Sequence, residues 1–231
     1  MYSQSAKQLA NNATKHSKDF GAELCQDVER AANLLLNWLG YLDPTFLNGT
    51  ADELIRGSRK AIIEVAGCLS LGLVRPAVFS LRAQIDMSLS WLFFKDHLVE
   101  WNRVLSEGEG FKLKKEVCHY LELHYPEFKR RFALLADRKK RKEKEPYHLL
   151  SAHIHSQSVY TVPRLSSLET MVEDITICRE CVMLQYEVSE YISDVLLSCS
   201  IYEWHDLPTD VTKNVKTRLA PHELKKFLLR S

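Results

Sequence analysis

No stretch of this 231-residue chain offers about 18 consecutive apolar residues without a charge, so none of it reads as a membrane-crossing helix. An excess of one charge is missing too. Lys plus Arg number 31 against 30 Asp plus Glu, a formal net charge of +1, so only local clusters can speak about partners. The six cysteines, at 25, 68, 118, 178, 181 and 199, form no paired framework, and five of them sit in apolar, helical-looking surroundings. That usage suggests small buried hydrophobes in a reducing compartment. Met1-Tyr2-Ser3-Gln4-Ser5-Ala6-Lys7 is not a basic flank leading into an apolar signal region. The expectation is a soluble, cytoplasmic protein. Also absent are a Gly-rich phosphate loop between strand and helix, a nucleophile elbow, alternating strand and helix patterns and internal repeats.

What is present is helical periodicity. Residues 74 to 94 form the most apolar segment, with apolar side chains on nearly every side at 3.6 residues per turn and Pro76 in the first turn, where a missing N–H is harmless. Before it, the spacing predicts a helix from Lys18 to Leu42, ended by Gly40 and Pro44, and a second from Ala51-Asp52 to about Gly72. Residues 1 to 14 are polar and read as frayed or as an early helical turn. After it come a short amphipathic helix from Lys112 to His124 and another that starts at Pro126, runs through the basic residues to Glu145 and stops at Pro146. Tyr147 to Ser156 reads as a short helix or ordered turn, and Ser158 to Arg164 as a loop. Ser166 with Glu169 resembles a capping box that opens one very long helix, Leu168 to about Tyr202, spanning about 50 Å if unbroken. The reading is an all-α, multi-helix bundle over residues 1–202, followed by a loop and a short amphipathic helix over 203–231.

Arg82 and Asp86 interrupt the most apolar helix. Four residues apart, they share a face with Arg75 and Phe79, and a buried charged pair contributes little stability because desolvation offsets the attraction. They are either a polar tie fixing helix register or the floor of a polar pocket. Three histidines crowd one window, His148, His153 and His155, in which positions 148, 151 and 155 share a helical face. An imidazole can trade protons near neutral pH and an arginine can stabilise negative charge on a phosphate. A hydrogen-bonded core histidine is the plainer role for His155. Cys178-Arg179-Glu180-Cys181 has a redox or zinc spacing, but with no second pair it reads as ordinary helix positions. Arg138, Lys139, Lys140, Arg141, Lys142 and Lys144 face only Glu143 among residues 138 to 144. Such a run is either a solvated face or a phosphate-binding one.

Arg82-Ala83-Gln84-Ile85-Asp86, followed later by Leu150-Ser151-Ala152-His153-Ile154-His155-Ser156, resembles the HEPN superfamily. The likeness is to a branch of uncharacterised bacterial helical proteins with Arg and an acidic residue in the first motif and Ser, three residues, then His in the second. Asp86 stands where Glu is more usual. The resemblance implies an all-helical, often dimeric protein and a metal-independent ribonuclease of a defence or toxin system. It places Arg82, Asp86, Ser151 and His155 at the site. The family's commoner motif, Arg, four to six residues, then His, is matched by Arg141 and His148.

The expected function is RNA cleavage or RNA binding, with no metal or cofactor, as a homodimer or with a protein partner from a defence or toxin–antitoxin system. The runner-up is a noncatalytic adaptor or antitoxin-like subunit. Ribose 2′-hydroxyl attack on the adjacent phosphate would use His155 or His148 to move a proton and Arg82 or Arg141 to stabilise charge, while the basic run holds phosphates. The surplus apolar positions of the long helix favour a two-fold homodimer.

Overall fold

The computed structural model describes residues 2–157, 161–162, 167–199 and 204–229, and among them every regular element is a helix. In chain order these are α1 (Tyr2–His16), a π-helical turn (Ser17–Gly21), α2 (Ala22–Phe46), α3 (Asp52–Ser70), α4 (Val74–Phe94) and α5 (Leu98–Glu107). There follow α6 (Lys114–His124), α7 (Phe128–Asp137), α8 (Pro146–Ile154), a 3-10 turn (Leu168–Met171), α9 (Ile175–Cys199), α10 (Thr209–Arg218) and α11 (Pro221–Leu228). No helix among the described residues is long and apolar enough to cross a membrane.

The chain divides into two compact units. The first comprises Met1–Ala32, Lys60–Gln84 and Glu145–Val188; its core is built from Leu24, Val28, Val65, Leu69, Leu81, Leu150 and Cys178, all essentially sealed from water. Burial on this scale is the main favourable term in folding, about 1.5–3 kcal/mol for each large aliphatic side chain. Within this core Gln84 of α4 and Gln185 of α9 exchange two side-chain hydrogen bonds of 2.9 and 2.8 Å. That reciprocal amide pair ties the helices in register.

The second unit comprises Asn33–Arg59, Ile85–Lys144 and Ser189–Ser231, and packs Leu35, Trp38, Leu39, Leu89, Phe94, Leu121, Ile192 and Phe227. The buried Trp38 indole N–H donates to Ser193 Oγ at 2.9 Å, which keeps a large ring buried without an orphaned donor. The C-terminal segment supplies two short helices, α10 and α11, where the sequence pattern suggested one.

Several expected boundaries move, each for a local reason. The polar start is α1, and helix runs from Tyr2 to Phe46 without interruption through the π turn. Asn12 Nδ2 donates to the Glu169 carbonyl at 3.2 Å, anchoring α1 within the first unit. At Gly21 a Cβ would meet Ser17 Oγ at 3.0 Å and the Ser70 carbonyl oxygen at 3.3 Å, so the wide turn closes on a glycine. Gly40 and Pro44 do not end α2; Pro44 lies in its last turn, and the carbonyl it leaves without an intrahelical donor belongs to the exposed Gly40, which water can reach.

Among the described residues the expected C-terminal helix does not run unbroken from Leu168. Leu168–Met171 is a 3-10 turn, Val172 is extended, and α9 begins only at Ile175, where Asp174 Oδ1 accepts the Thr176 N–H at 2.8 Å. Ser166, the expected cap, lies outside the described residues, as do most of Ser158 to Arg164 and Ser200 to Tyr202. The break is held from the other side. Gly72, at φ +75°, accepts the Glu173 N–H at 2.9 Å, and a Cβ there would fall 2.6 Å from Val172 Cγ1.

Candidate functional site

Two of the expected site residues meet in the first unit. Arg82, half-buried on α4, donates from Nε to Ser151 Oγ on α8 at 3.0 Å. Its guanidinium carbon lies 3.5 Å from the centroid of the Tyr147 ring, one turn earlier on α8. Pro146 opens α8 at a position that needs no N–H, and the i, i+4 spacing sets Tyr147 and Ser151 on one face, so a single arginine is gripped by a ring and a hydroxyl together. Burial draws the Arg82 pKa below its ordinary value, opposed by Tyr147, yet guanidinium starts so high that the group stays charged.

The next turn of the same α8 face ends at His155, which is exposed and caps the helix, its N–H bonding the Ser151 carbonyl at 2.9 Å. Ser156 then takes a left-handed conformation, φ +49°, and Gln157 N–H returns to the Ala152 carbonyl at 3.1 Å. This closing turn is one that glycine usually occupies, so the end of α8 is held by its own hydrogen bonds against some backbone strain. Asp86 is half-buried on α4. His148 is mostly exposed and its Nε2 lies 2.8 Å from Glu145 Oε2.

Sequence reasoning passed over one neighbour. Tyr147 precedes Ser151 by one helical turn, which was the signal for it. His153 points off the Ser151 face; burial first, and the positive charge of Arg75 second, lower its pKa and favour the neutral ring. Arg75 in turn donates to the Thr161 carbonyl at 3.4 Å and lies 5.4 Å from the Phe79 ring centroid. The first unit therefore presents two arginines, a hydroxyl, a phenol and imidazoles along α4 and α8. This set can hold an anion and move a proton beside it.

The basic run, in the second unit, is not helical. α7 stops at Asp137, and the backbone N–H groups of Lys140 and Arg141 donate instead to the Glu190 carboxylate of α9, at 3.0 and 2.9 Å. Arg141 is a correction to the expected site. Its side chain is sealed from solvent and its Nη1 bonds Glu190 Oε2 at 3.1 Å and Asp194 Oδ2 at 2.6 Å, so neither a phosphate nor a substrate can reach it. Arg218 completes the cluster, with Nη1 at 2.7 Å from Asp194 Oδ1 and Nη2 donating to the Leu135 carbonyl at 2.7 Å.

The other basic residues divide by what they touch. Arg138 pairs with Glu223 at 2.6 Å, Lys139 Nζ caps the Arg141 and Lys142 carbonyls, and Lys140 Nζ donates to Thr217 Oγ1 at 3.1 Å. Lys142 and Lys144 are exposed. The run is mainly a strap around buried carboxylates.

The six cysteines are all thiols, and burial pushes Cys178 up to about 11 and Cys181 up to about 12, which leaves both protonated and unreactive inside α9. Among the described residues no three His, Cys, Asp or Glu side chains converge in a way that could hold a metal ion. Compared with protein-family models, curated proteins and solved structures, the chain matches none.

Proposed function

We propose that the chain binds RNA and cuts it by metal-independent, 2′-hydroxyl chemistry at the α4–α8 face, in a bacterial defence or toxin setting. The observation that carries this reading is the Arg82 guanidinium, fixed between Ser151 Oγ and the Tyr147 ring on the face whose last turn ends at the exposed His155. In the reaction the 2′-oxygen attacks phosphorus, the bond to the 5′-oxygen breaks and a cyclic phosphate remains. Arg82 stabilises the extra negative charge, and His155 takes the hydroxyl proton and returns one to the leaving oxygen. His148, held beside Glu145, is the second imidazole able to serve. The likeness of the Arg82–Asp86 and Ser151–His155 segments to HEPN motifs supports the same chemistry.

Incubated with single-stranded and structured RNA in excess chelator, the purified chain yields fragments ending in cyclic phosphate and leaves DNA intact, because deoxyribose lacks the nucleophile. His155→Ala keeps the fold and the RNA affinity while cleavage falls by about 10²–10⁴-fold, the usual contribution of a positioned acid–base group. Cleavage undiminished in both His155→Ala and His148→Ala rejects the mechanism, as does a wild-type chain that cuts nothing.

The proposal includes a homodimer formed through α9. Ile177 and Met183 are 41% and 56% exposed on it, and a groove of about 570 Å³ between α2 and α9 is lined by Ala31, Val182, Met183 and Tyr186 under the charged rim of Arg30 and Arg179. Exposed apolar surface of this kind favours association. Light scattering at micromolar concentration then returns twice the chain mass; a clean monomer rejects the dimer.

A further inference from the structure

The second unit carries a ladder of aromatic rings where α4 ends and α6 passes. The Phe93 and His97 rings are parallel, 3° apart in plane with centroids 4.0 Å apart, and Tyr120 stands nearly perpendicular to both at 5.0 and 5.1 Å. Beyond Tyr120, the His124 ring follows at 4.8 Å and 36°. One end of the ladder is rooted in the core, since Phe93 abuts the fully buried Phe94, itself 5.2 Å from the buried Trp101 ring. The other end is open: Phe93, His97 and Tyr120 are half-buried and His124 is exposed.

This arrangement is more than core filling requires. Aliphatic side chains would cover Phe93 without bringing imidazole nitrogens to the surface. Here His97 Nδ1 lies 2.6 Å from the Phe93 carbonyl oxygen, which fixes the ring's orientation, so a flat partner meeting the ladder has little side-chain entropy to remove. Cations flank it. Lys112 Nζ is 5.5 Å from the Phe93 centroid, and Lys95 Nζ is 5.8 Å from that of Tyr125, which adjoins Tyr120. Their carboxylate partners, Glu116 and Asp96, are exposed, and surface pairs of this kind are weak enough to yield to a phosphate.

We propose that this ladder is a stacking site for the unpaired bases of single-stranded RNA, with Tyr120 and His124 offering ring faces and Lys95 and Lys112 attracting the sugar–phosphate strand. The inference rests on the reading that the chain binds RNA. Bases stack on aromatic rings whatever their identity, so the site tolerates sequence and is sensitive to salt.

The test uses the full chain and a 2′-O-methyl decaribonucleotide carrying one 2-aminopurine, which 2′-hydroxyl attack cannot cut. Binding is followed by anisotropy and stacking by quenching of the 2-aminopurine. His124→Ala, at an exposed position, and Tyr120→Leu are each expected to weaken binding by roughly tenfold to a hundredfold, the range for loss of one stacked base, and to relieve the quenching. Tyr120→Phe retains both signals, which a role for the phenol hydroxyl alone would not allow. Unchanged affinity and quenching in His124→Ala and in a folded Tyr120→Leu chain overturn the stacking site and leave the RNA reading standing. No binding by the unaltered chain overturns both.

Discussion

Replacing Arg141 by methionine lowers the free energy of unfolding by about 3–5 kcal/mol, the cost of breaking a buried ion pair from one side. The guanidinium and its partners Glu190 and Asp194 have no exposed side-chain surface, and Arg218 shares the same carboxylates. Removing Arg141 takes one of the cations that face two buried carboxylates, and a buried charge that loses a partner is far costlier than an unmade surface pair. Methionine keeps much of the volume, so the loss reports charge rather than a cavity. Urea unfolding by linear extrapolation measures it. The double variant Arg141→Met with Asp194→Leu leaves Arg218 with Glu190 and recovers part of the loss, because the interaction energy of the pair vanishes from both sides at once. A single Arg141→Met change within about 0.5 kcal/mol of wild type, the range of ordinary surface substitutions, would remove the cluster from the account of stability.

The same cluster explains why the sequence misled at residues 138–145. Read locally, six cations with two glutamates continue a helix from α7 and resemble a phosphate-binding face. The decisive partners lie 49 and 53 residues away on α9, and two backbone N–H groups that a helix would have spent internally go to Glu190 instead. No local pattern announces that. A clue did exist, because Glu190 and Asp194 interrupt apolar α9 one turn apart, as Arg82 and Asp86 interrupt α4, and the reasoning applied to α4 applies there equally. By contrast α3 and the start of α4 were legible almost to the residue, since their apolar spacing is sustained over five turns and Asp52, Gly72 and Pro76 mark these ends. A further register tie on α4 went unread for a simpler reason: Gln84 is uncharged and drew no notice, yet it makes the buried pair with Gln185.

At the candidate site, the resemblance pointed to Arg82 and Ser151, and they touch; it also offered Arg141, which is sealed away. The difference is physical. Arg82 is half-buried between a hydroxyl and a ring, whereas the Arg141 guanidinium has no exposed surface and is closed in by two carboxylates.

Arg82→Lys separates the two roles this residue can have. Lysine keeps the charge but loses the planar group that lies over Tyr147 and the Nε–H directed at Ser151 Oγ. If Arg82 stabilises charge on a reacting phosphate, cleavage falls by about 10²–10³-fold, the usual cost of removing one preorganised donor, while the stability loss stays near 1–2 kcal/mol, the sum of one hydrogen bond and one partly buried cation–π contact. Ser151→Ala then gives an intermediate rate, because Tyr147 still orients the guanidinium. If Arg82 is only a tie between α4 and α8, as the adaptor reading requires, both substitutions lower stability by about the same amount and leave RNA cleavage and affinity where they were. Paired measurements of kcat and unfolding free energy on the two variants decide the matter, since only the catalytic role moves the rate by more than the loss of folded protein accounts for.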